Sequence, residues 1–160
     1  IHCFPNYTAG QWPGEGLSIL DFGVVYKGYT SDTTLTVAKG KLCKEQEELI
    51  ALVEKAAKEG LKYYKKGITI RAAAAKVDEI FAKGKRSMPH GLGHGIGLQI
   101  HEYPFVRQRA EADSVFLPGM IVTLEPGLYD KDLGGVRLEN DVLITEEGNE
   151  VITNSRIIRL

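Results

Sequence analysis

The chain has 160 residues, a formal net charge of -1 and 43% hydrophobic residues. This length allows one domain with a sizeable core, and the balanced charge offers no basic surface for nucleic acid. No apolar run approaches the roughly 18 residues that a membrane span needs. The two cysteines, Cys3 and Cys43, make no disulfide framework, so free thiols in a cytoplasmic protein are the expected state. Residue 1 is isoleucine and no signal peptide is visible, which favours a piece of a longer chain.

The first part of the chain predicts a loop followed by a β-hairpin. Glycine and proline are frequent in residues 1–16, as is typical of a loop or an extended segment. Leu17–Tyr26 and Tyr29–Val37 are rich in β-branched and aromatic residues, and Lys27-Gly28 between them can form the turn.

Two helices are predicted next. Apolar side chains recur at helical spacing over residues 44–65, and a second such pattern runs from Thr69, a good N-cap residue, to about Lys83. Both apolar stripes are expected to pack against a sheet.

The last part of the chain predicts a second hairpin. Met120–Pro126 is a strand that proline ends, Tyr129–Gly135 is a polar turn, and Val136–Ile144 is the returning strand. A further turn leads into a short strand at Val151-Ile152.

Three of the four histidines lie in the stretch His90-Gly-Leu-Gly-His94-Gly-Ile-Gly-Leu-Gln-Ile-His101. Histidine is the commonest metal ligand and titrates near neutral pH, and the glycines let a ligand approach the backbone. The stretch is therefore a candidate reactive centre. A glycine-rich loop with buried, hydrogen-bonded histidines would have the same pattern, so the stretch alone leaves both interpretations open.

Two aspartates interrupt the apolar pattern of the first hairpin. A turn centred between Tyr26 and Lys27 would place Asp21 directly opposite Asp32, and a shift of the turn by one residue would leave them diagonal neighbours. Directly opposed β carbons lie about 4.5–5.5 Å apart. Two carboxylates that close are favourable only with a cation between them or a shared proton.

Glu125 and Glu139 repeat this arrangement in the second hairpin, where a turn centred on Asp132 brings them opposite each other. Each lies among aliphatic residues, and a buried carboxylate must be paired or bound to a metal. Four acids and a histidine would offer five oxygen and nitrogen ligands to a pair of divalent ions, and Mn, Co, Zn or Fe(II) suit such a site. Surface acids on strand edges, or a carboxylate cluster that shares protons, are the alternatives.

At these residues the chain resembles the pita-bread metallopeptidases, the family of methionine aminopeptidases, Xaa-Pro dipeptidases (prolidases) and aminopeptidase P. The resemblance runs from about Leu17 to Ile152. The motifs that carry it are Asp21-Phe-Gly, Ser31-Asp32-Thr-Thr, Gly93-His94-Gly-Ile-Gly, His101-Glu102-Tyr-Pro, Leu124-Glu125-Pro-Gly and Arg137-Leu-Glu139-Asn. It implies an α+β fold of the creatinase/aminopeptidase (pita-bread) type, in which helices cover a curved antiparallel sheet, with residues 1–160 as a single catalytic domain.

That fold is a pseudo-twofold repeat, and each half has two helices and a hairpin. Residues 44–144 correspond to the second half, whereas the helices of the first half are missing, so the first half-repeat is incomplete. We expect the missing part to come from a larger parent protein or from a partner chain, and a homodimer is the alternative assembly.

The resemblance also implies the metal ligands and the metals. Five residues would hold two divalent ions (Mn, Co, Zn or Fe): Asp21, Asp32, His94, Glu125 and Glu139. Asp32 and Glu139 would bridge the two ions.

Further residues are assigned to substrate binding and catalysis by the same resemblance. His101 would contact the scissile peptide or its tetrahedral intermediate. His90 and Arg137 are typical of the proline-directed branch: His90 would line the substrate pocket, and Arg137 would orient His90 or the bridging acids. A capped loop histidine and a strand-face arginine are their alternatives. Tyr129 is a further residue that would face the site.

The chain departs from the family pattern at two positions. The family places another substrate-contacting histidine shortly before its first aspartate, but none lies between Gly10 and Asp21, and His2 is too early. Leu35 stands where arginine is common.

The resulting hypothesis is hydrolysis of an N-terminal Xaa-Pro peptide bond, by a dipeptidase or an aminopeptidase, through a hydroxide that bridges the metals. The partner is thus a peptide with proline at its second position. His101 would donate to the developing oxyanion, and Glu125 would act as general acid/base. The alternatives are a methionine aminopeptidase-like or creatinase-like hydrolase of the same fold, and a non-catalytic protein-binding module. The presence of all five ligands favours an enzyme.

Overall fold

The computed structural model describes residues 14–160 and shows two helices and twelve strands in that range. The strands are, in chain order, β1 (Gly16–Phe22), β2 (Val25–Tyr26), β3 (Tyr29–Thr30), β4 (Thr33–Lys39), β5 (Gly93–Gly95), β6 (Glu102–Val106), β7 (Ile121–Leu124), β8 (Gly127–Asp130), β9 (Gly134–Arg137), β10 (Asn140–Ile144), β11 (Asn149–Val151) and β12 (Ile157–Arg159). The helices are α1 (Lys44–Leu61) and α2 (Ile70–Lys83). His2, Cys3 and most of the predicted N-terminal loop lie outside the described residues.

The strands form two larger sheets and two short hairpins. One sheet has the order β1-β4-β12 and the other the order β11-β10-β7-β5-β6, while β2 pairs with β3 and β8 with β9. Within residues 14–160 the pairing of β12 with β4 is parallel and the other strand pairings are antiparallel. A bridge between Thr34 and Glu139 joins β4 to the segment before β10. The two sheets therefore meet where the acids of both predicted hairpins lie.

The first predicted hairpin is present, but its turn is displaced by one residue. Lys27 (φ 50°) and Gly28 (φ 86°) form the turn, so Asp21 pairs with Thr34. The prediction that Asp21 lies directly opposite Asp32 is therefore wrong, and the diagonal arrangement is the one observed. Positive φ at both central residues is the turn geometry that matches the twist of the flanking strands, which explains why the turn centres on this dipeptide.

The second hairpin has the predicted register but different strand limits. β8 pairs with β9, and β7 with β10, in the register that a turn centred on Asp132 gives. Glu125 and Glu139 lie between these two ladders, and the predicted register is confirmed. The polar turn predicted over residues 129–135 is too long, because β8 and β9 extend into it. The strand predicted over residues 136–144 is interrupted, because the chain passes there from the short hairpin to the five-stranded sheet.

The centre of the histidine stretch is a strand rather than a loop. Gly93, His94 and Gly95 form β5, which lies between β7 and β6. A side chain at Gly93 would overlap the Thr123 carbonyl, and one at Gly95 would overlap the Tyr103 carbonyl. Glycine is needed at these two positions because neighbouring backbones pack closely. This corrects the expectation that these glycines make room for a ligand.

Both predicted helices are present and bury their apolar stripes. α2 begins as predicted, where the Thr69 hydroxyl accepts a hydrogen bond from the Ala72 N–H at 3.3 Å. α1 ends at Leu61, earlier than predicted. The chain turns after it so that Tyr64 enters the core, where its hydroxyl donates to the Thr123 carbonyl at 2.9 Å.

The core lies between the two helices and the sheets. Its largest fully buried side chains include Tyr64, Phe81 and Phe116. The helices contact each other, and α1 also packs against β7, β8 and β9. In the described part of the chain no helix has both the length and the apolar composition to cross a membrane.

Candidate metal centre

A cleft of about 540 Å³ opens where the two hairpins predicted from the sequence meet β5. Its walls contain the nine residues that the sequence predicts for the site: Asp21, Asp32, His90, His94, His101, Glu125, Tyr129, Arg137 and Glu139. Asp21 lies in β1 of the three-stranded sheet, His94 in β5 of the five-stranded sheet, and Tyr129 and Arg137 in the β8-β9 hairpin, while the other five lie in segments between strands. The fold thus gathers at one place residues that are distant in sequence.

Donor atoms of the predicted ligands lie close enough together to share ions. Three sets have their donor atoms within 4.8 Å of one another: Asp32 with His94 and His101, His94 with Glu125 and Glu139, and Asp21 with Asp32 and Glu139. Asp32, His94 and Glu139 each belong to two of these sets. The cluster is therefore a set of overlapping candidate sites rather than one isolated triad.

His94 presents a lone pair to two carboxyl groups. Its Nδ1 lies 3.0 Å from the Gly95 carbonyl oxygen, which can only accept, so Nδ1 carries a proton. Burial lowers the pKa of His94, which favours the neutral ring with an unprotonated Nε2. Nε2 lies 3.6 Å from Glu125 Oε1 and 3.9 Å from Asp32 Oδ2. A lone pair that faces two carboxylates is repelled unless a cation or a proton lies between them.

Burial raises the pKa of Asp32, Glu125 and Glu139 in this cluster. Burial first, and then the charges of Asp21 and Asp141, raise the pKa of Asp32 to about 7. Burial and neighbouring acids raise the pKa of Glu125 to about 8 and that of Glu139 to about 9. Carboxyl groups in water ionise near pH 4, so without a cation this cluster keeps protons at neutral pH. A divalent ion would take the place of those protons.

The chemistry of the donors fits divalent ions of intermediate hardness. Carboxylate oxygens together with an imidazole suit Mn, Co, Zn or Fe(II), whereas soft metals prefer sulfur ligands. Among the described residues that line the cleft there is no cysteine. The residues present therefore fit the two divalent ions that the sequence led us to expect.

A chain of hydrogen bonds links His90 to Arg137 through Tyr129. His90 Nδ1 donates to the Gly91 carbonyl at 2.8 Å, so its Nε2 accepts from the Tyr129 hydroxyl, also at 2.8 Å. Arg137 Nη1 donates to the Tyr129 oxygen at 3.0 Å. Burial lowers the pKa of His90, which favours the neutral ring that this chain of donors and acceptors needs.

Arg137 also contacts the acids of the cluster. Its Nη2 forms an ion pair with Asp21 Oδ2. Its Nε donates to the Thr34 hydroxyl at 3.0 Å, and that hydroxyl donates to Glu139 Oε2 at 2.6 Å. The two orienting roles considered for Arg137 thus correspond to two sets of contacts, one toward His90 and one toward the acids.

His101 lies beside His94 on the cleft wall. The two ring centroids are 4.3 Å apart and the ring planes meet at 60°. His101 is half-buried and shares a donor set with Asp32 and His94. Its ring therefore lines the cleft next to the predicted metal ligands.

Three polar residues behind the cluster were not predicted from the sequence. Thr34 links Arg137 to Glu139, as described above. The Thr123 hydroxyl accepts from the His94 N–H at 3.0 Å. Asp141 accepts from the Asp32 N–H at 3.1 Å. In the sequence each of them is a polar residue within an apolar strand pattern. Such a pattern does not predict which distant group the residue contacts.

The chain matches a known protein family and is similar to several known peptidases. Residues 1–146 match the sequence model of metallopeptidase family M24. The chain is 45% identical over 141 residues to the uncharacterized peptidase YqhT of Bacillus subtilis (strain 168), and the match covers 87% of this chain and 39% of that protein. It is 37% identical over 141 residues to an Xaa-Pro dipeptidase of Pyrococcus horikoshii, and the match covers 87% of this chain and 40% of that protein. The chain thus spans about 40% of the length of these curated relatives.

A solved structure shows the same fold. The Xaa-Pro dipeptidase from Bacillus anthracis is 42% identical, with a TM-score of 0.81 over 89% of this chain and 41% of that one. The match confirms the predicted α+β pita-bread fold.

Proposed function

Because this chain belongs to metallopeptidase family M24, we propose that it carries the site of a metallo-exopeptidase that hydrolyses an N-terminal Xaa-Pro bond with two divalent ions. The observation that carries this proposal is the overlap of three donor sets through Asp32, His94 and Glu139, each of which belongs to two of the sets. The preference for proline is supported by relatives that are themselves Xaa-Pro dipeptidases. We further propose that residues 1–160 form a single catalytic domain.

The proposed metal ligands are Asp21, Asp32, His94, Glu125 and Glu139. Asp32 and Glu139 each belong to two donor sets, which supports a bridging role for both. Two bound ions of Mn, Co, Zn or Fe would polarise the scissile carbonyl and supply hydroxide at neutral pH by lowering the pKa of water.

The side chains of the cleft bind the peptide and move its protons. Glu125 accepts a proton from the attacking water at its carboxylate and returns it to the leaving nitrogen. His101 donates a hydrogen bond to the carbonyl oxygen as negative charge develops there. His90 lines the pocket for the substrate, and its ring is held through Tyr129 by Arg137.

Glu125→Gln tests the proton-transfer role in the natural protein that contains this chain. The amide keeps the size of the side chain but cannot accept the proton, so kcat should fall by about 10²–10⁴-fold. The circular dichroism spectrum should remain unchanged. Glu147→Gln is the matched control, because Glu147 is exposed and lies outside the cleft. Unchanged turnover in the Glu125 variant would refute the role.

Substrate assays and metal analysis test the rest of the proposal. Cleavage of Xaa-Pro dipeptides alone indicates a dipeptidase, and cleavage of longer Xaa-Pro peptides indicates an aminopeptidase. Cleavage of Met-Ala peptides in their place would indicate a methionine aminopeptidase-like enzyme. About two divalent ions per chain support the dinuclear centre, whereas a protein that binds no ion and cleaves no peptide would be a binding module.

A further inference from the structure

Asp141 is a buried carboxyl group to which the proposed reaction assigns no role. Only 3% of its surface is exposed. Its Oδ2 accepts from the Asp32 N–H at 3.1 Å, and its Oδ1 has no hydrogen-bond partner in residues 14–160. Its backbone is fixed on both sides, because it pairs with Thr123 in β7 and its N–H donates to the Thr153 hydroxyl at 2.9 Å. Asp141 thus presents a carboxylate to the Asp32 peptide from a rigid strand.

Asp32 itself lies in a gap between strands. β3 ends at Thr30 and β4 begins at Thr33, so the Asp32 peptide is outside the ladders of the described strands. The preceding Ser31 N–H donates to the Val24 carbonyl at 3.0 Å, within the same hairpin. The Asp32 N–H points away from that hairpin, toward Asp141 in the other sheet. This hydrogen bond therefore fixes the peptide from which the Asp32 carboxylate projects.

The orientation of Asp32 matters because two donor sets share its carboxylate, one with His94 and His101 and one with Asp21 and Glu139. A rotation of the Asp32 peptide would move that carboxylate in both sets at once. A hydrogen bond from an N–H to a carboxylate is roughly twice as strong as one between neutral groups. Burying a charge is costly, so the hydrogen bond to the Asp32 N–H is the best explanation for a carboxylate at position 141.

We propose that Asp141 is a positioning residue: its carboxylate holds the Asp32 peptide and so sets the Asp32 side chain where both metal sites share it. The inference rests on the proposed metal centre. It concerns the geometry of one ligand and adds no ligand to the centre.

Three variants of the natural protein separate this role from a general structural one. Asp141→Ala removes the acceptor, whereas Asp141→Asn keeps an oxygen that can accept the Asp32 N–H. Asn149→Ala is the matched control: Asn149 Nδ2 donates to the Leu61 and Tyr64 carbonyls at 3.0 and 2.9 Å, so its loss weakens the same sheet away from the cleft. If the alanine variant at position 141 does not fold, Asp141→Leu replaces it, because leucine also removes the acceptor but fills the space that alanine would leave as a cavity.

The readouts are the Mn²⁺ affinities by calorimetry and the absorption spectrum of the Co(II)-substituted protein, which reports ligand geometry. Asp141→Ala should lower metal affinity by about 10–100-fold, as the loss of an outer hydrogen bond to a ligand does, and should change the Co(II) spectrum. Asp141→Asn should keep both close to those of the unaltered protein. Asn149→Ala should lower the melting temperature and leave affinity and spectrum unchanged.

Unaltered metal affinities and an unaltered Co(II) spectrum in Asp141→Ala would overturn the inference but not the proposed metal centre. A loss of affinity in Asn149→Ala or in Asp141→Asn equal to that in Asp141→Ala would also overturn the inference, because the effect would then not depend on the hydrogen bond to Asp32. Failure of the unaltered protein to bind any ion would overturn the proposed centre and this inference together.

Discussion

Removing the metal should make the protein less stable as the pH rises above 7. In the metal-free native state Glu125 and Glu139 hold protons up to pKa values of about 8 and about 9, whereas the ordinary value for a glutamate is 4.5. When the native pKa lies above the unfolded value, the native state binds more protons at pH values between the two. The free energy of unfolding then falls as the pH rises through that range.

The interval from pH 7 to pH 8.5 isolates this effect. Burial lowers the pKa of His90 and His94, which gives the opposite trend, but only below about pH 6.5, where unfolded histidine is protonated. One carboxyl group that is protonated in the native state and ionised in the unfolded state lowers the unfolding free energy by about 1.4 kcal/mol per pH unit. Glu139 alone therefore lowers it by about 2 kcal/mol over this interval. That is a large part of the roughly 5–15 kcal/mol that stabilises a domain.

The assay is urea unfolding of the EDTA-treated and the Mn²⁺-loaded protein, followed by circular dichroism at steps between pH 7 and pH 8.5. The metal-free protein should lose stability at each step. The loaded protein should not, because ions keep the carboxylates ionised in the native state, and loading at pH 7.5 should release protons into the buffer. Glu139→Gln should reduce the slope of the metal-free protein. A metal-free stability that stays level or rises across the interval would refute the reasoning.

Two further substitutions test contacts around the site. Arg137→Lys keeps the positive charge, but a single ammonium group cannot replace the planar guanidinium that contacts Tyr129 and Asp21 together. The kcat/KM for an Xaa-Pro substrate should therefore fall by about 10–100-fold. An unchanged kcat/KM would show that the charge alone suffices. Tyr64→Phe removes the hydroxyl that donates to the buried Thr123 carbonyl, and urea unfolding should show a loss of about 1–3 kcal/mol; an unchanged midpoint would mean that this carbonyl finds another donor.

Local sequence patterns predicted the elements of this fold well. The helices follow from apolar spacing and from the cap at Thr69. The facing of Glu125 and Glu139 follows from one assumption, a turn centred on Asp132, because in a hairpin the turn fixes every pair beyond it. The same argument failed for Asp21 and Asp32 because the turn centre was misplaced by one residue.

Contacts between the two sheets could not be predicted in this way. The hydrogen bond from Asp32 to Asp141 joins the segment before β4 to β10, and the hydrogen bond from Arg137 to Thr34 joins β9 to β4. Alternation along one strand shows that a polar residue faces inward, but it does not show which strand of another sheet lies there. The glycine at position 93 was misinterpreted for the same reason, since its neighbour is the backbone of a strand that is distant in sequence.

The proposed metal centre lies at the junction of the two sheets. Thr34 and Glu139 exchange backbone hydrogen bonds at 3.4 and 3.3 Å, and the Glu139 carboxylate belongs to two donor sets. Ions bound there would tie β4 to the segment before β10 and would bind only the native state. Such binding adds about 2.7 kcal/mol when the free ion is at 100 times its Kd. This gain is similar to the roughly 2 kcal/mol of unfolding free energy that the metal-free protein loses between pH 7 and pH 8.5, where Glu139 is protonated in the native state and ionised in the unfolded state. We therefore expect the stability of the sheet junction to rise and fall with the occupancy of the proposed metal site.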